Sequence, residues 1–445
     1  MSEVVTASKF KWSDLIKKED WWAIWLGFIV LLLSTISYLT GAFPFKSSKP
    51  GSWGAGTPII ESFSGKIPGI IFTFIVLAIL FAIGVKFMGE NVGKFLIGFA
   101  GVFVLATIAY LLSAQSTMSQ YLEYAFWALA IGLLVSNTVK TPEWMKPAVK
   151  TEYYIKTGLV IFGAEVLFSN VVQFGLYGLG IAWGVTPVVI IFMWQYGTKI
   201  LKMTSKPMVI VIATATSVCG VSAAIAAAAA SKASKDDLTF AVGLSLMFTV
   251  LMMVFMPLLI KAVGMSEMVG GAWIGGTVDS TGAVVLAGEA LGPVGGQVAA
   301  LVKMIQNVLI GIIAFAIAVF FATKVDRDES GPAVGASEIW HRFPKFILGF
   351  IAASIIFSFI YEPAIGKEGV NGVLSNSKGF KGWCFCLAFT CIGLESNFKE
   401  MAQYIQGGKP LWLYIVGQSF NLVLTLLVAW LLLSGIIFPV PNIAV

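Results

Sequence analysis

Long apolar runs separated by short polar segments fill most of this 445-residue sequence. A run of about 20 apolar residues is long enough to cross about 30 Å of hydrocarbon as a helix, whereas a transmembrane barrel would show alternating segments of about ten residues. The pattern therefore predicts an all-α polytopic membrane protein with about 11–13 transmembrane segments. The continuous runs are 22–41, 68–86, 94–113, 119–137, 156–175, 178–198, 207–230, 238–260, 298–323, 343–361, 382–398 and 410–436, and a broken, glycine-rich one lies near 266–291.

Composition and charge agree with this pattern. Hydrophobic residues make up 58% of the chain, charged residues make up 12%, and the mean hydropathy is +0.89, which argues against a soluble domain. Because no small-residue cleavage site follows the first apolar run, we expect a retained helix behind a cytoplasmic segment, 1–21. Alternating the segments from there places 20 of the 29 Lys and Arg residues on the cytoplasmic side, as the positive-inside rule requires. We therefore expect a multi-pass protein of the bacterial-type inner membrane with a cytoplasmic amino terminus.

The membrane part divides into two predicted regions. Residues 22–150 would form a panel or scaffold of helices, and 151–445 a transport core with discontinuous helices near 214–224 and 270–292. The net charge of +6 lies mostly in cytoplasmic loops, where it serves topology and contact with anionic lipid, so we expect a bilayer partner and no nucleic acid. The cysteines lie in or beside apolar runs without metal-ligand spacing, and we predict no disulfide, metal or other cofactor.

The first interruption lies where a spanning helix would be expected. Residues 214–231 read TATSVCGVSAAIAAAAAS, with small and polar residues in place of leucine and phenylalanine. Hydrocarbon offers no hydrogen-bond partners, so a helix breaks only where its freed backbone faces protein or water. A half-helix starting near Ser222 would present free N–H groups that suit an anion, although the same residues also allow close helix packing. The candidate ligands are Ser217, Cys219, Gly220 and Ser222.

The second interruption is the glycine-rich segment 270–292, GGAWIGGTVDSTGAVVLAGEALG. An ionisable residue at membrane depth is a functional candidate by default, although Asp279 would be unremarkable if this segment were an ordinary loop in water. Gly271 and Gly275 form a G-x-x-x-G pattern that packs helices within or between chains, so a homodimer is one option. The candidate ligands here are Thr277, Asp279, Ser280 and Thr281.

A weak internal echo supplies further acidic candidates. Gly163 and Glu165 in VIFGAEVLF correspond to Gly393 and Glu395 in TCIGLESNF, and the predicted topology runs the two segments in opposite directions. Inverted repeats of this kind build midplane sites in many secondary transporters. Glu165, Asp279 and Glu395 are therefore candidates for carrying a coupling ion, with a solvated helix end as the alternative for Glu395.

Four other polar residues lie inside predicted spans. Lys303 could snorkel to the interface, pair with Asp279 or a glutamate, or bind an anion. Asn421 could also serve only to join helices, and the three amides complete the set. They are Gln306, Asn307 and Asn421.

Several classes of protein are excluded by missing motifs. We find no phosphate loop and no G-x-G-x-x-G that opens a helix, so ATP-driven transport by this chain is not expected. The motifs of zinc proteases and serine hydrolases are missing too, and we expect no enzymatic activity. The remaining class is a carrier or a channel that uses an ion gradient.

Three motifs extend the interpretation. The chain resembles the sulfate exporter family of bacterial membrane proteins, a provisional name, at TSVCGVSAAIAA, WIGGTVDSTGAVVLAG and ALVKMIQNVLIG. That family is distantly similar to the sodium/proton antiporters and bile-acid symporters. The resemblance implies two inverted repeats, crossed broken helices, a panel domain and a moving core domain.

The sequence departs from that family at two places. Asp279 and Ser280 stand where the family has His-Glu, and Gln306 or Asn307 stands where it has a membrane arginine. The loss of a cation weakens the inference of a doubly charged substrate. The sequence thus predicts a secondary transporter that moves a small anion (sulfate, sulfonate or carboxylate) by alternating access, coupled to H⁺ or Na⁺. The alternatives are a sodium/proton exchanger without organic substrate and a non-transporting membrane scaffold or sensor.

Overall fold

The computed structural model describes residues 13–54, 56–117, 124–166, 168–325, 344–397, 399 and 408–441. Helices form nearly all of the regular structure in these ranges, which confirms the all-α prediction. The helices of nine or more residues are α1 (Glu19–Thr40), α2 (Ile67–Phe87), α3 (Val92–Ser113), α4 (Tyr124–Thr138), α5 (Thr151–Gly163), α6 (Phe168–Gln195), α7 (Lys206–Ser217), α8 (Ser222–Ser231), α9 (Lys235–Ala262), α10 (Glu267–Thr277), α11 (Thr281–Glu289), α12 (Pro293–Phe320), α13 (Phe346–Ile356), α14 (Glu362–Glu395) and α15 (Lys409–Leu433).

Eight helical stretches in the described residues are long and apolar enough to cross a membrane, so the chain is a multi-pass membrane protein. This number is lower than the predicted 11–13 for two structural reasons. One stretch, Phe346–Glu395, covers two predicted runs. Other predicted runs are divided into short helices such as α7 and α8. Within the predicted cytoplasmic segment, 1–12 lie outside the described residues.

Two of the predicted boundaries were wrong. The runs 156–175 and 178–198 were separated at glycines, but the chain breaks earlier, between Gly163 and Phe168, and α6 continues through 175–178. Glycine there serves close packing, because a Cβ on Gly178 would overlap the side chain of Ile305. The polar stretch 362–381, expected as a loop, is helical in α14 on both sides of a kink at Gly366, whose φ is 71°.

The chain forms two compact units. The first comprises Lys11–Phe168 and Lys345–Asn397, and the second comprises the described parts of Ser169–Pro344 and Phe398–Val445. Residues 345–397 therefore pack with the amino-terminal helices, although the sequence grouped them with the core. The assignment of scaffold and transport roles stays a prediction.

Aromatic packing fills the first unit. Trp383 of α14 is buried and stacks on Phe103 of α3 with 4.4 Å between ring centroids. Phe81 of α2 lies edge-on to Tyr154 of α5 at 4.8 Å. Large apolar rings bury the area that stabilises such a core.

Small residues allow close packing in the second unit. A Cβ on Gly271 would lie 2.6 Å from the carbonyl oxygen of Gly295, and one on Gly275 would lie 2.7 Å from that of Ala299. The G-x-x-x-G pattern therefore packs α10 against α12 of the same chain, and a homodimer stays a prediction.

Candidate functional site

Two broken helices meet in the second unit. Helix α7 ends at Ser217 and α8 begins at Ser222, while α10 ends at Thr277 and α11 begins at Thr281. The two breaks touch through the backbone, because Gly220 N–H donates to the carbonyl oxygen of Asp279 at 2.8 Å. We call this region the crossing. The predicted interruptions near 214–224 and 270–292 are both present.

Gly220 is required by the space at the crossing. A Cβ at this position would overlap Ser245 Oγ and lie 3.4 Å from Asp279 Cβ. The glycine therefore lets α9 and the second break approach the first break closely.

Side chains satisfy the carbonyls that the breaks leave without helical partners. Such buried groups are costly unless hydrogen-bonded. Gln306 connects the two breaks, since its Nε2 donates to carbonyl oxygens on both sides. The bonds are Gln306 Nε2 to Ser217 O (2.8 Å) and Gly276 O (3.2 Å), Thr186 Oγ1 to Ser217 O (3.2 Å), Asn421 Nδ2 to Thr216 O (3.2 Å) and Gln418 Nε2 to Thr277 O (2.9 Å).

Lys303 places a buried ammonium group at the end of α7. It is 1% exposed, and it donates to Val218 O at 2.5 Å and to Gln306 Oε1 at 2.8 Å. A cation stabilises the negative end of a helix dipole. Lys303 thus caps α7, and it neither reaches the surface of the unit nor forms an ion pair with Asp279.

Asp279 is buried between α9 and α15. It is 1% exposed, and its Oδ2 accepts hydrogen bonds from Ser245 Oγ at 2.7 Å and Tyr414 Oη at 2.5 Å. Its Oδ1 has no hydrogen-bond partner among the described residues. The alternative of an ordinary loop in water is therefore wrong, because the carboxylate lies in the interior with one oxygen unsatisfied.

The predicted hydroxyl ligands fall into two groups. Ser217 and Thr277 donate to carbonyl oxygens one turn earlier in their own helices, at 2.6 and 2.5 Å, so their protons are engaged. Ser222 is exposed at the start of α8, and Ser280, at the N-cap of α11, is half-buried without a capping bond from its side chain.

The other members of the predicted set are buried. Cys219 is 7% exposed. Thr281 Oγ1 accepts from Asn307 Nδ2 at 3.0 Å, and Asn307 Oδ1 has no partner among the described residues. Asn421 Oδ1 accepts from Thr425. The structure thus brings the second-unit candidates together at the crossing, and their role in binding stays a prediction.

The two glutamates of the echo lie in the first unit instead. Glu165 follows the end of α5, not the middle of a span as predicted, and pairs with Lys381 at 3.1 Å. Lys381 also lies over the ring of Phe162, 4.6 Å from its centroid. Glu395 ends α14 and is exposed, and it accepts from Thr151 Oγ1 at 3.0 Å. Their coupling role stays a prediction.

The echo itself has matching geometry. Gly163 and Gly393 both approach the backbone of a neighbouring helix, at Phe350 and Leu129 respectively. Three residues after each glycine, a carbonyl oxygen accepts from a serine of that neighbouring helix. The two bonds are Ser354 Oγ to Val166 O (2.6 Å) and Ser136 Oγ to Ser396 O (2.9 Å).

Sequence reasoning missed five polar residues near the crossing. They lie in strongly apolar helices, which hid them. A signal was available, because α9 and α15 carry polar residues at i and i+4 along one face. The residues are Thr186, Ser245, Thr249, Tyr414 and Gln418.

Comparisons relate the chain to a family of membrane proteins. A family model described as conserved hypothetical protein 698 matches residues 97–414. The chain is 51% identical to a UPF0324 membrane protein of Rhodopirellula baltica over 89% of its own length and 73% of the relative. It is 55% identical to a UPF0324 membrane protein of Nitratidesulfovibrio vulgaris over 82% of its length and 64% of that relative. No solved structure matches the chain.

Proposed function

We propose that this chain, which belongs to the conserved hypothetical protein 698 family, is a secondary active transporter that binds a small anion at the crossing. The observation that carries the proposal is the contact between two broken helices, with buried Asp279 and Lys303 beside it. Discontinuous helices at a repeat interface form the substrate and ion sites of many secondary transporters. The protein would act by alternating access in a bacterial inner membrane, with its amino terminus in the cytoplasm and no enzymatic step.

Two helix starts support an anionic substrate. Helices α8 and α11 both begin at the crossing, and neither has a side-chain cap on its first N–H groups. Uncapped N–H groups and the positive dipole end attract an anion. Ser222 and Ser280 add hydroxyl donors at these two starts. A sulfate, sulfonate or carboxylate group fits this donor set, in line with the resemblance to sulfate exporters.

The test combines binding and flux on the full-length chain. The purified protein is heated with sulfate, sulfite, thiosulfate, taurine or simple carboxylates, each with and without sodium and at two pH values. A ligand at about 100 times its dissociation constant should stabilise the fold by about 2.7 kcal/mol. An anion that stabilises is then assayed for uptake into proteoliposomes.

Variants decide whether the crossing is the site. Ser222→Ala combined with Ser280→Ala should lower anion uptake and raise the anion concentration needed for stabilisation. Ser375→Ala is the matched control, because Ser375 is exposed in the first unit. Uptake by a folded S222A/S280A variant at the level of S375A would contradict the site.

A second candidate function is sodium/proton exchange without an organic substrate. The buried Asp279 carboxylate with one unsatisfied oxygen favours it, because such a group can take up either ion. Proton release on addition of sodium alone, with no response to any anion, would select this function.

A further inference from the structure

Three oxygens near the crossing have no hydrogen-bond partner among the described residues. They are Asp279 Oδ1, Thr249 Oγ1 and Gln418 Oε1. Their residues are 1%, 2% and 4% exposed. Buried polar atoms are satisfied in the large majority of cases, so three such atoms in one unit require an explanation.

The contacts of neighbouring residues bring these atoms to one place. Ser245 Oγ and Tyr414 Oη both reach Asp279 Oδ2. Thr249 lies one turn after Ser245 on α9, and Gln418 lies one turn after Tyr414 on α15, so each shares a helix face with a residue that contacts Asp279.

Further contacts fix the direction of these two helix faces. Gln418 Nε2 donates to Thr277 O at 2.9 Å, two residues before Asp279, and also contacts Met252 Sδ at 3.1 Å. Thr249 lies on α9 between Ser245, which contacts Asp279 in the second break, and Met252, which contacts Gln418 of α15. The three oxygens line the space between α9, α15 and that break.

Apart from the Thr249 hydroxyl, the side-chain donors named around this space are already used. Ser245 and Tyr414 spend their protons on Asp279 Oδ2, and Gln418 spends its amide protons on Thr277 O and Met252 Sδ. If the side-chain oxygen and nitrogen of Gln418 were exchanged, Gln418 Oε1 would face Thr277 O, and two hydrogen-bond acceptors would be in contact. A carboxylate oxygen and an amide oxygen are thus left as acceptors, with the Thr249 hydroxyl beside them.

We propose that these oxygens bind a sodium ion. Oxygen ligands of this kind suit hard cations, and broken transporter helices often supply such ligands to Na⁺. Asp279 provides the single negative charge, which balances one monovalent ion. The role of sodium as the coupling ion rests on the proposed transport function, but the sodium site itself does not.

The assigned site has a consequence for charge. Asp279 and Lys303 together are neutral when both are ionised, and one bound sodium ion adds one positive charge. A singly charged anion at the crossing restores neutrality, which a buried site favours. With both side chains ionised, the proposal therefore favours a monoanion, such as a sulfonate or carboxylate, over sulfate as the substrate that accompanies one sodium ion.

The experiment measures sodium binding to the purified full-length chain in a choline chloride buffer without substrate. Sodium should raise the melting temperature of the wild type in a saturable manner, and potassium should not. Thr249→Val keeps the shape of the side chain but removes the oxygen, so it should weaken sodium binding about tenfold, or ~1.4 kcal/mol. Thr249→Ser should restore it.

Thr157→Val is the matched control. Thr157 is a buried threonine of α5 whose hydroxyl bonds to Tyr153 O at 2.8 Å, so this variant also loses a buried hydroxyl. Equal sodium affinity in T249V and T157V would overturn the proposal, and so would stabilisation by potassium at the same concentration.

The outcome separates this proposal from the proposed function. Anion uptake that needs no sodium would refute sodium as the coupling ion and leave transport intact, whereas a melting temperature that does not respond to sodium would refute the site. Sodium binding that depends on Thr249, without any anion response, would support the site and point to the exchanger instead.

Discussion

Gly220→Ala tests whether the crossing is as closely packed as the structure indicates. The added methyl group would overlap Ser245 Oγ and lie 3.2 Å from Ser245 Cβ. Overpacking of a buried site costs about 1–3 kcal/mol. If Ser245 turns away to make room, Asp279 loses a charge-assisted hydrogen bond of about 1.5–3 kcal/mol. We expect a total loss of about 3 kcal/mol in the free energy of unfolding.

The assay is reversible unfolding of the purified variant in mixed micelles, followed by helix content. Gly184→Ala is the matched control, because Gly184 is a helical glycine of α6 with no atom within 4 Å of the added methyl group. That variant should be unchanged or stabilised by up to about 1 kcal/mol.

Repeating the Gly220→Ala substitution in the Ser245→Ala variant tests whether the overlap with Ser245 causes the loss of stability. In Ser245→Ala the overlapping hydroxyl is absent, so G220A should cost roughly 1–2 kcal/mol less there than in the wild type. An equal cost in both backgrounds, or a cost for G220A no larger than that for G184A, would refute this account of the crossing.

Two further predictions concern the charged residues. Lys303→Met should destabilise the fold by about 2–5 kcal/mol, because Val218 O and Gln306 Oε1 lose their donor. The control is Lys261→Met at an exposed position, which should change the free energy of unfolding by no more than about 0.5 kcal/mol. Equal melting temperatures of the two variants would contradict the capping role. Glu165→Gln and Lys381→Met should couple by about 1 kcal/mol in a double-mutant cycle, since the pair is 3.1 Å apart and mostly shielded from solvent. Strict additivity of the two changes would show that this ion pair contributes nothing.

The class of the molecule and the positions of its two breaks could be predicted from the sequence alone. Both depend on local composition. Apolar runs of membrane-spanning length leave helices as the structure that satisfies its own backbone. Such runs are interrupted by small and polar residues at Ser217–Ser222 and at Thr277–Thr281. The Gly-x-Glu echo was also visible locally, and each glycine does meet a neighbouring backbone.

Tertiary structure decided which groups meet at the breaks. The caps on Ser217 O and Thr277 O come from Gln306 and Gln418, which lie 89 and 141 residues away in the sequence. Glu165 was expected at membrane depth in a site, and packing instead paired it with Lys381, 216 residues later. No local pattern encodes such pairs, because a hydrogen bond across helices depends on which faces pack together. The residues around a break indicate that its carbonyl groups need hydrogen-bond partners. Which side chains become those partners depends on how the helices pack.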